Sequence, residues 1–314
     1  SVPLGVLHGQ AAGALLTRLG AQVRLSAKAA AIEVLPGGPG PGFRVRLAGR
    51  RGGDGPPPHG AALDGAGLDG AALDGAGEVI EADGVVLAVP PAVAARLAPA
   101  GTAGGPAATG NGHGPPGQPG PEQWQELATS PIVNVHVIYD RRVTRLPFAA
   151  AVDSPVQWVF DRTGPSGLRS GQYLAVSLSA ADGYVNVPAS ALRERFLPAM
   201  ADLFPAARDA RVTDFFVTRE RRATLRQVPG CERLRPGAAT ALPGLVLAGA
   251  WTDTGWPDTM EGAVRSGLYA ARALRRGLAV PAGTFRQRDP GRVNGSDPVT
   301  PGRTSGPAGA GATA

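Results

Sequence analysis

ALPGLVLAGAWTDTGWPDTMEGAVRSGLYAARALRRG, residues 241–277, decides how this chain is read. Up to Trp251 it is a turn and a short apolar run, the pattern of a buried strand. TDTGWPDT is a Gly/Pro turn. From Met260 to Gly277 the spacing predicts a helix, with Met260, Val264, Leu268 and Leu274 on one side. Gly262, Ser266 and Ala270 recur every four positions and form a second face, which lets a sheet or a ligand approach closely. Thr259 is the expected N-cap, and Glu261 suits the positive end of the helix. The string therefore sets a helix N-terminus at the carboxyl end of a buried strand. Free N–H groups there can receive a carbonyl or an anion. On physics alone, an ordinary capped strand–turn–helix explains the same residues.

Working outward, Ala11–Gly20 reads as a helix, with Ala12, Leu15, Leu16 and Leu19 at helical spacing and a stop at Gly20. AAAIEVL runs apolar to Leu35. Phe43, Val45 and Leu47 alternate with Arg44 and Arg46, a half-buried strand. EVIEADGVVLAVP (Glu78–Pro90) predicts a short strand, a turn and an apolar strand buried on both faces. Between these strands LDGAG, LDGAA and LDGAG start at Leu63, Leu68 and Leu73. A five-residue repeat of this composition has neither period, so 49–77 is expected to be a disordered insert in a hairpin turn. Residues 98–120 read as a linker, and the chain beyond about Pro281 as a disordered tail. PEQWQELATS is expected to be a helix ending at Ser130. IVNVHVIYD alternates as a strand, with further strands at Val156–Phe160, Gln172–Ser179 and Val212–Val217. Pro188–Pro205 reads as a helix that Pro198 should kink or split.

Composition narrows the class. Gly (46) and Pro (31) make up about a quarter of the 314 residues, yet 43% are hydrophobic, enough for a core beside low-complexity inserts. The net charge is +6, and all but one of the 31 basic residues, Lys28, are Arg. They are scattered, with no basic stripe interleaved with aromatics, so nucleic acid is not an expected partner. One cysteine, Cys231, excludes a disulfide framework and a Cys-based zinc site. It fits a reducing, cytoplasmic compartment. The four histidines are far apart, so no metal site is expected. No apolar run is long enough to span a bilayer, and the start lacks the pattern of a signal peptide. It also lacks Met, so the sequence is expected to continue upstream. His136 alternates with apolar positions, and a satisfied half-buried histidine is its default reading. Asp140-Arg141-Arg142 reads as a solvated turn.

LVLAGAWTDTGWPDTMEGAVRSGLYAARAL (245–274) closely resembles the C-terminal flavin-binding segment of the amine oxidase and carotenoid (phytoene) desaturase superfamily. Within it, SPIVNVHVIYDRRV (130–143), SPVQWVFDRT (154–163) and WTDTGWPDTMEGAVRSG (251–267) are similar to the hydroxysqualene dehydroxylases, squalene-associated flavin-dependent desaturases. The resemblance implies an α+β fold with FAD as cofactor. Residues 1–97 and 241–277 would form a partial FAD-binding domain, and 121–240 a substrate domain with an antiparallel sheet.

It implies roles residue by residue. Gly249 and Ala250 would lie beside the ribityl–pyrophosphate part of the flavin, Ala250 replacing an acidic residue often found there. Met260, opening the helix after Thr259 and before Glu261, would turn its backbone N–H to the pyrimidine edge. Ala29 would lie against the adenine, although a plain strand residue is an equal reading. Trp251, Asp253 and Trp256 would be near the ring or the substrate channel, with core positions an even alternative for the tryptophans. Trp158, in the second of the three stretches, would meet substrate.

The implied reaction is reductive removal of the allylic hydroxyl of hydroxysqualene, on the way to squalene and hopanoids, with hydride from reduced flavin. No general acid is assigned. The apolar substrate points to peripheral membrane contact. The family's strand–GxGxxG–helix fingerprint does not occur. GAGLDG (65–70) and GHGPPG (112–117) fall in low-complexity segments and are chance matches. Two alternatives stay open: a carotenoid desaturase or amine oxidase, and a non-catalytic remnant that binds lipid or a partner.

Overall fold

The N-terminal periodicity does form a helix, α1 (Ala12–Arg18), entered through a wider helical turn at Gly5–Ala11. Its apolar face does not enter a core, however. Leu15, Leu16 and Leu19 are exposed, and no residue of α1 is buried. The computed structural model describes residues 5–36, 42–49, 77–103 and 117–278. The repeat-bearing insert, the middle of the 98–120 linker and the 281–314 tail lie outside the described residues.

Alternation builds the first sheet. β1 (Ala29–Leu35), β2 (Gly42–Leu47) and β3 (Val79–Ala82) pair antiparallel in sequence order. Phe43 is fully buried, while the arginines between the apolar positions reach across the outer face. Arg44 pairs with Glu81 and Arg46 with Glu33. These pairs are exposed and screened by water, so each contributes little to stability. β2 and β3 are antiparallel neighbours, with Phe43 opposite Ala82 and Val45 opposite Ile80.

β4 (Val85–Leu87) is shorter than the sequence suggested, and Val86 is 42% exposed, so it is not buried on both faces. α2 (Pro91–Leu97) follows, opened by a proline whose missing N–H costs nothing at that position. α3 (Pro121–Trp124) is a single turn rather than a helix reaching Ser130. Tertiary pairing overrides helix propensity there. Thr129 and Ser130 already belong to β5 (Thr129–Tyr139) and pair with Leu225 and Thr224.

β5 belongs to a five-stranded antiparallel sheet. The other strands of that sheet are β6 (Phe148–Ala150), β7 (Trp158–Asp161), β8 (Gln172–Leu178) and β9 (Val212–Leu225), in the order β6-β7-β8-β5-β9, so β5 lies between β8 and the edge strand β9. A one-turn helix, α4 (Thr163–Ser166), joins β7 to β8. β9 runs eight residues past the expected Val217, because TRERRAT keeps pairing with β5 although its charges hide the alternation. One face of the sheet carries Val133, Val135, Val137, Leu174 and Val176, all fully buried. α5 (Ala189–Leu203) covers that face with Leu192, Phe196 and Met200. Each such side chain contributes roughly 1.5–3 kcal/mol by leaving water. That packing carries α5 through Pro198 as one helix, so the proline does not split it.

β10 (Leu245–Leu247) pairs in parallel with β4, and α6 (Met260–Gly277) packs back on them. A second core gathers Ile32, Phe43, Leu87, Leu97, Trp124, Leu245, Leu247 and Trp251. Among the described residues, three sheets, one of them parallel, packed with helices make an α+β fold.

Candidate functional site

The tip of β10 turns within two residues. Ala248 N–H still donates to Leu87 O at 3.0 Å. Gly249 then takes φ +132°, and a Cβ there would lie 2.6 Å from the Trp251 ring. Only glycine serves at that position. Its N–H donates to Ser266 Oγ at 2.8 Å, and the Ser266 hydroxyl donates to Ala263 O at 2.7 Å. This uses the small-residue face of α6 as the spacing foretold: Gly262, Ser266 and Ala270 are the buried residues of the helix.

The turn that follows is held by a residue the sequence did not flag. The Arg235 guanidinium donates to the carbonyls of Ala250 at 2.8 Å, Thr252 at 2.6 Å and Trp256 at 2.9 Å, and its Nε to Trp251 O at 3.2 Å. One terminal nitrogen, Nη2, shares its two hydrogens among three carbonyls while Nε reaches the fourth, and lysine, with a single nitrogen, has no counterpart to the Nε bond. The only signal was an arginine preceding a Pro-Gly turn. Asp253 belongs to the same loop. Its N–H donates to Pro236 O at 2.7 Å, and its Oδ1 accepts from Gly255 N–H at 3.2 Å. Asp258 Oδ2 accepts from Leu225 N–H and ties the loop to the end of β9.

At the opening of α6, Thr259 is the extended N-cap residue, and its Oγ1 accepts from Gly262 N–H at 3.3 Å. The N–H groups of Met260 and Glu261 precede any intrahelical acceptor, so they point out of the positive end of the helix. Met260 is 64% exposed. Glu261 pairs with Arg265 at 2.8 Å, whose guanidinium sits 4.5 Å over the exposed Trp256 ring. Trp251 is placed differently. It is 5% exposed, donates Nε1–H to Val89 O at 2.9 Å and packs on Trp124 at 5.6 Å. Ala29, at the start of β1, packs on the same core.

A second surface lies on the five-stranded sheet, on the face away from α5. Trp158 is 45% exposed there and stacks on Phe160 at 6.3 Å. Phe148 and Phe216 are exposed on the same face. Burial, then the nearby Arg162, push the His136 pKa down to about 4, so its imidazole is neutral at pH 7. Below β7, burial works against the Asp161 carboxylate, but hydrogen bonds from Thr163 and Gln172 outweigh it and hold its pKa below the ordinary value. The two surfaces suit two tasks: a helix end that can receive a carbonyl or an anion, and aromatic rings that can cover an apolar chain. No group of three or more His, Cys, Asp or Glu able to hold a metal occurs among the described residues.

The flavin containing amine oxidoreductase family matches residues 11–275. The chain belongs to that family. It is 33% identical over 189 residues to hydroxysqualene dehydroxylase from Rhodopseudomonas palustris, covering 60% of this chain and 38% of that protein. The zeta-carotene desaturase of Synechocystis sp. is 34% identical over 104 residues, covering 33% of this chain and 21% of that protein. The chain thus spans less than half the length of the curated relatives it matches. An oxidoreductase from Methanosarcina mazei shares the fold at a TM-score of 0.53 and 12% identity, covering 84% of this chain and 53% of that one. A putative protoporphyrinogen oxidase from Exiguobacterium sp. does so at 0.52 and 15%, covering 85% and 51%.

The family is one of flavin-containing oxidoreductases, and the cofactor that membership gives this chain is FAD. The residues present fit the ring end of FAD. The opening of α6 offers outward N–H groups flanked by exposed Trp256 and Met260, on a loop fixed by Arg235. No strand–GxGxxG–helix occurs among the described residues. No helix among the described residues is long and apolar enough to cross a membrane.

Proposed function

We propose that this chain is part of an FAD-dependent enzyme that reductively dehydroxylates hydroxysqualene to squalene. The observation that carries the reading is the extent of similarity. The likeness to the hydroxysqualene dehydroxylases runs through 60% of the chain at 32–33% identity, against 49% of the chain for the phytoene desaturases and 33% for the zeta-carotene desaturase of Synechocystis sp.. Residues 1–97 and 241–277 act as the flavin side of the molecule, and 121–240 as the substrate side.

The first-turn N–H of Met260, between Thr259 and Glu261, meets the pyrimidine edge, where a helix N-terminus favours negative charge. Gly249 and Ala250 lie along the ribityl–pyrophosphate part, and Ala29 along the adenine. Asp253 shapes the loop, Trp251 supports it from the core, and exposed Trp256 borders the channel. Bound reduced FAD supplies a hydride to carbon. The chain binds the isoprenoid, orients the carbon that loses its hydroxyl and excludes water. Trp158 and its neighbours on the open sheet face cover the apolar substrate. An apolar substrate also brings the enzyme to the surface of a membrane from the cytoplasm.

Full-length enzyme with reduced FAD and hydroxysqualene should yield squalene. No squalene, together with desaturation of a C40 carotenoid precursor, would replace this reading by the desaturase one, which the carotene desaturase relatives favour. Titration of residues 1–314 with FAD, followed by ring fluorescence, separates a chain that holds the cofactor alone from one that needs more of the protein.

A further inference from the structure

The open face of the five-stranded sheet carries one polar device in an aromatic row. Strand register aligns Phe148 with Phe160, Phe160 with Ala175, Ala175 with His136, and His136 with Phe216. The row crosses all five strands, about 19 Å at the usual strand spacing. Phe148 is 58% exposed, and Phe160 and Phe216 are each 39% exposed. His136 stacks on Phe216 at 4.4 Å with an interplanar angle of 12°.

A chain of hydrogen bonds runs through that histidine. Tyr173 Oη lies 2.8 Å from His136 Nδ1, and His136 Nε2 lies 3.0 Å from Thr218 Oγ1. Asn134 Nδ2 donates to the same Thr218 oxygen at 3.4 Å. A neutral imidazole donates through one nitrogen and accepts through the other. Where Nδ1 carries the proton, it donates to Tyr173, and the phenol O–H is left to donate elsewhere. Where Nε2 carries it, Tyr173 donates to Nδ1 and its lone pairs are left to accept. In either tautomer Tyr173 Oη can make one further bond on the aromatic face. An alcohol, both donor and acceptor, satisfies both states. A carboxylate, which only accepts, satisfies one.

We propose that the Tyr173–His136–Thr218 string binds the single hydroxyl of a long polyprenyl alcohol whose chain lies along the aromatic row. The string would then set which carbon of the substrate is held in register. This rests on the dehydroxylase reading above, since it assigns the anchor for that substrate's hydroxyl.

The test is binding to residues 1–314 without reductant, so that no turnover intervenes, with hydroxysqualene and squalene delivered in the same detergent and tryptophan fluorescence as the signal. The wild type should prefer hydroxysqualene by about 3- to 10-fold, the range expected of one neutral hydrogen bond. Tyr173→Phe should bring the ratio near one with squalene affinity unchanged. Thr218→Val, which disturbs only the far end of the string, should lower the ratio less. Phe160→Ala should weaken both ligands together. An unchanged ratio in Tyr173→Phe, or no preference in the wild type, overturns the proposal. Squalene formation by the full-length enzyme is read separately. Turnover with an unchanged ratio sinks the anchor alone, and a Tyr173-dependent preference without turnover sinks the dehydroxylase reading alone.

Discussion

Two glycines on α6 should respond oppositely to the same substitution. At Gly262 a Cβ would sit 2.5 Å from Pro257 O and 3.7 Å from Ala250 Cβ. A comfortable carbon–oxygen approach is about 3.3–3.6 Å, so helix or loop must yield by roughly 1 Å. The obstacle is backbone, in a loop already bonded to Arg235, so it cannot swing aside as a side chain could. Overpacking of this kind costs about 1–3 kcal/mol. Against it stands the gain of about 0.5–1 kcal/mol when alanine replaces glycine in a helix. Gly262→Ala should therefore destabilise by about 1 kcal/mol. Gly267, five residues on, is exposed and meets nothing within 4 Å. Gly267→Ala should keep the whole gain and stabilise.

The two variants share the helix and the added methyl, so the separation between them isolates the close contact, at about 1–3 kcal/mol. For a fold of this size that is about 2–12 °C between the two Tm values, measured by far-UV circular dichroism and checked by urea midpoints at constant slope. Gly262→Ala should also weaken FAD, because the yielding backbone is the first turn of α6, while Gly267→Ala should not. If both variants stabilise alike, the close approach of α6 to the loop is not what the small-residue face is for.

Other outcomes follow from single contacts. Gln172 is 1% exposed, and its Oε1 accepts from the Val143 and Thr144 N–H groups while its Nε2 donates to Asp161 and Thr144 O. Gln172→Ala strands those groups and should cost about 2–4 kcal/mol by urea unfolding. The folded-state pKa of His136 lies below its ordinary value, so the unfolded chain binds the proton first. Stability from this group is complete above about pH 6.5 and is lost as pH falls toward 4. Solvent access reduces the effect to about 1 kcal/mol, and His136→Gln should flatten that part of the pH–stability curve. Arg235→Lys keeps the charge but not the fork, and should lower Tm and FAD affinity together, whereas an unaltered affinity would mean the loop needs no such clamp.

The most legible part of the sequence was the part whose pattern and packing agree. Val133, Val135 and Val137 alternate on β5 and are all buried, and Gly262, Ser266 and Ala270 bury the face their spacing marks. Reading failed where a partner distant in sequence decides. Ser130 looks helical until its pairing with Thr224 is known, and the strand expected to end at Val217 runs on through the charge-rich residues 218–224 because β5 aligns them. α1 failed in the other direction. Its apolar stripe is real, but no described element covers it, so a helix was legible and its burial was not. At the site, the turn and helix could be read from glycine, proline and cap. Arg235 could not, because its role comes from four carbonyls that only the folded loop brings together.

The buried tryptophan and the exposed one divide the work of the loop between them. Trp251 fills the core beside Trp124 and spends its one donor on Val89 O, next to the strand that pairs with β10. A residue so committed can hold the loop but cannot rearrange around a ligand. Trp256 spends no core volume and lies under Arg265, which is itself held by Glu261 in the first turn of α6. Movement at the helix opening is therefore coupled to Trp256 through two exposed side chains. It is resisted at the other end by the core and by the Gly249–Ser266 bond. Rigidity sits on the strand side of the loop and adjustability on the helix side. That is the arrangement a site needs if the cofactor is to be held firmly while the substrate edge stays able to adapt.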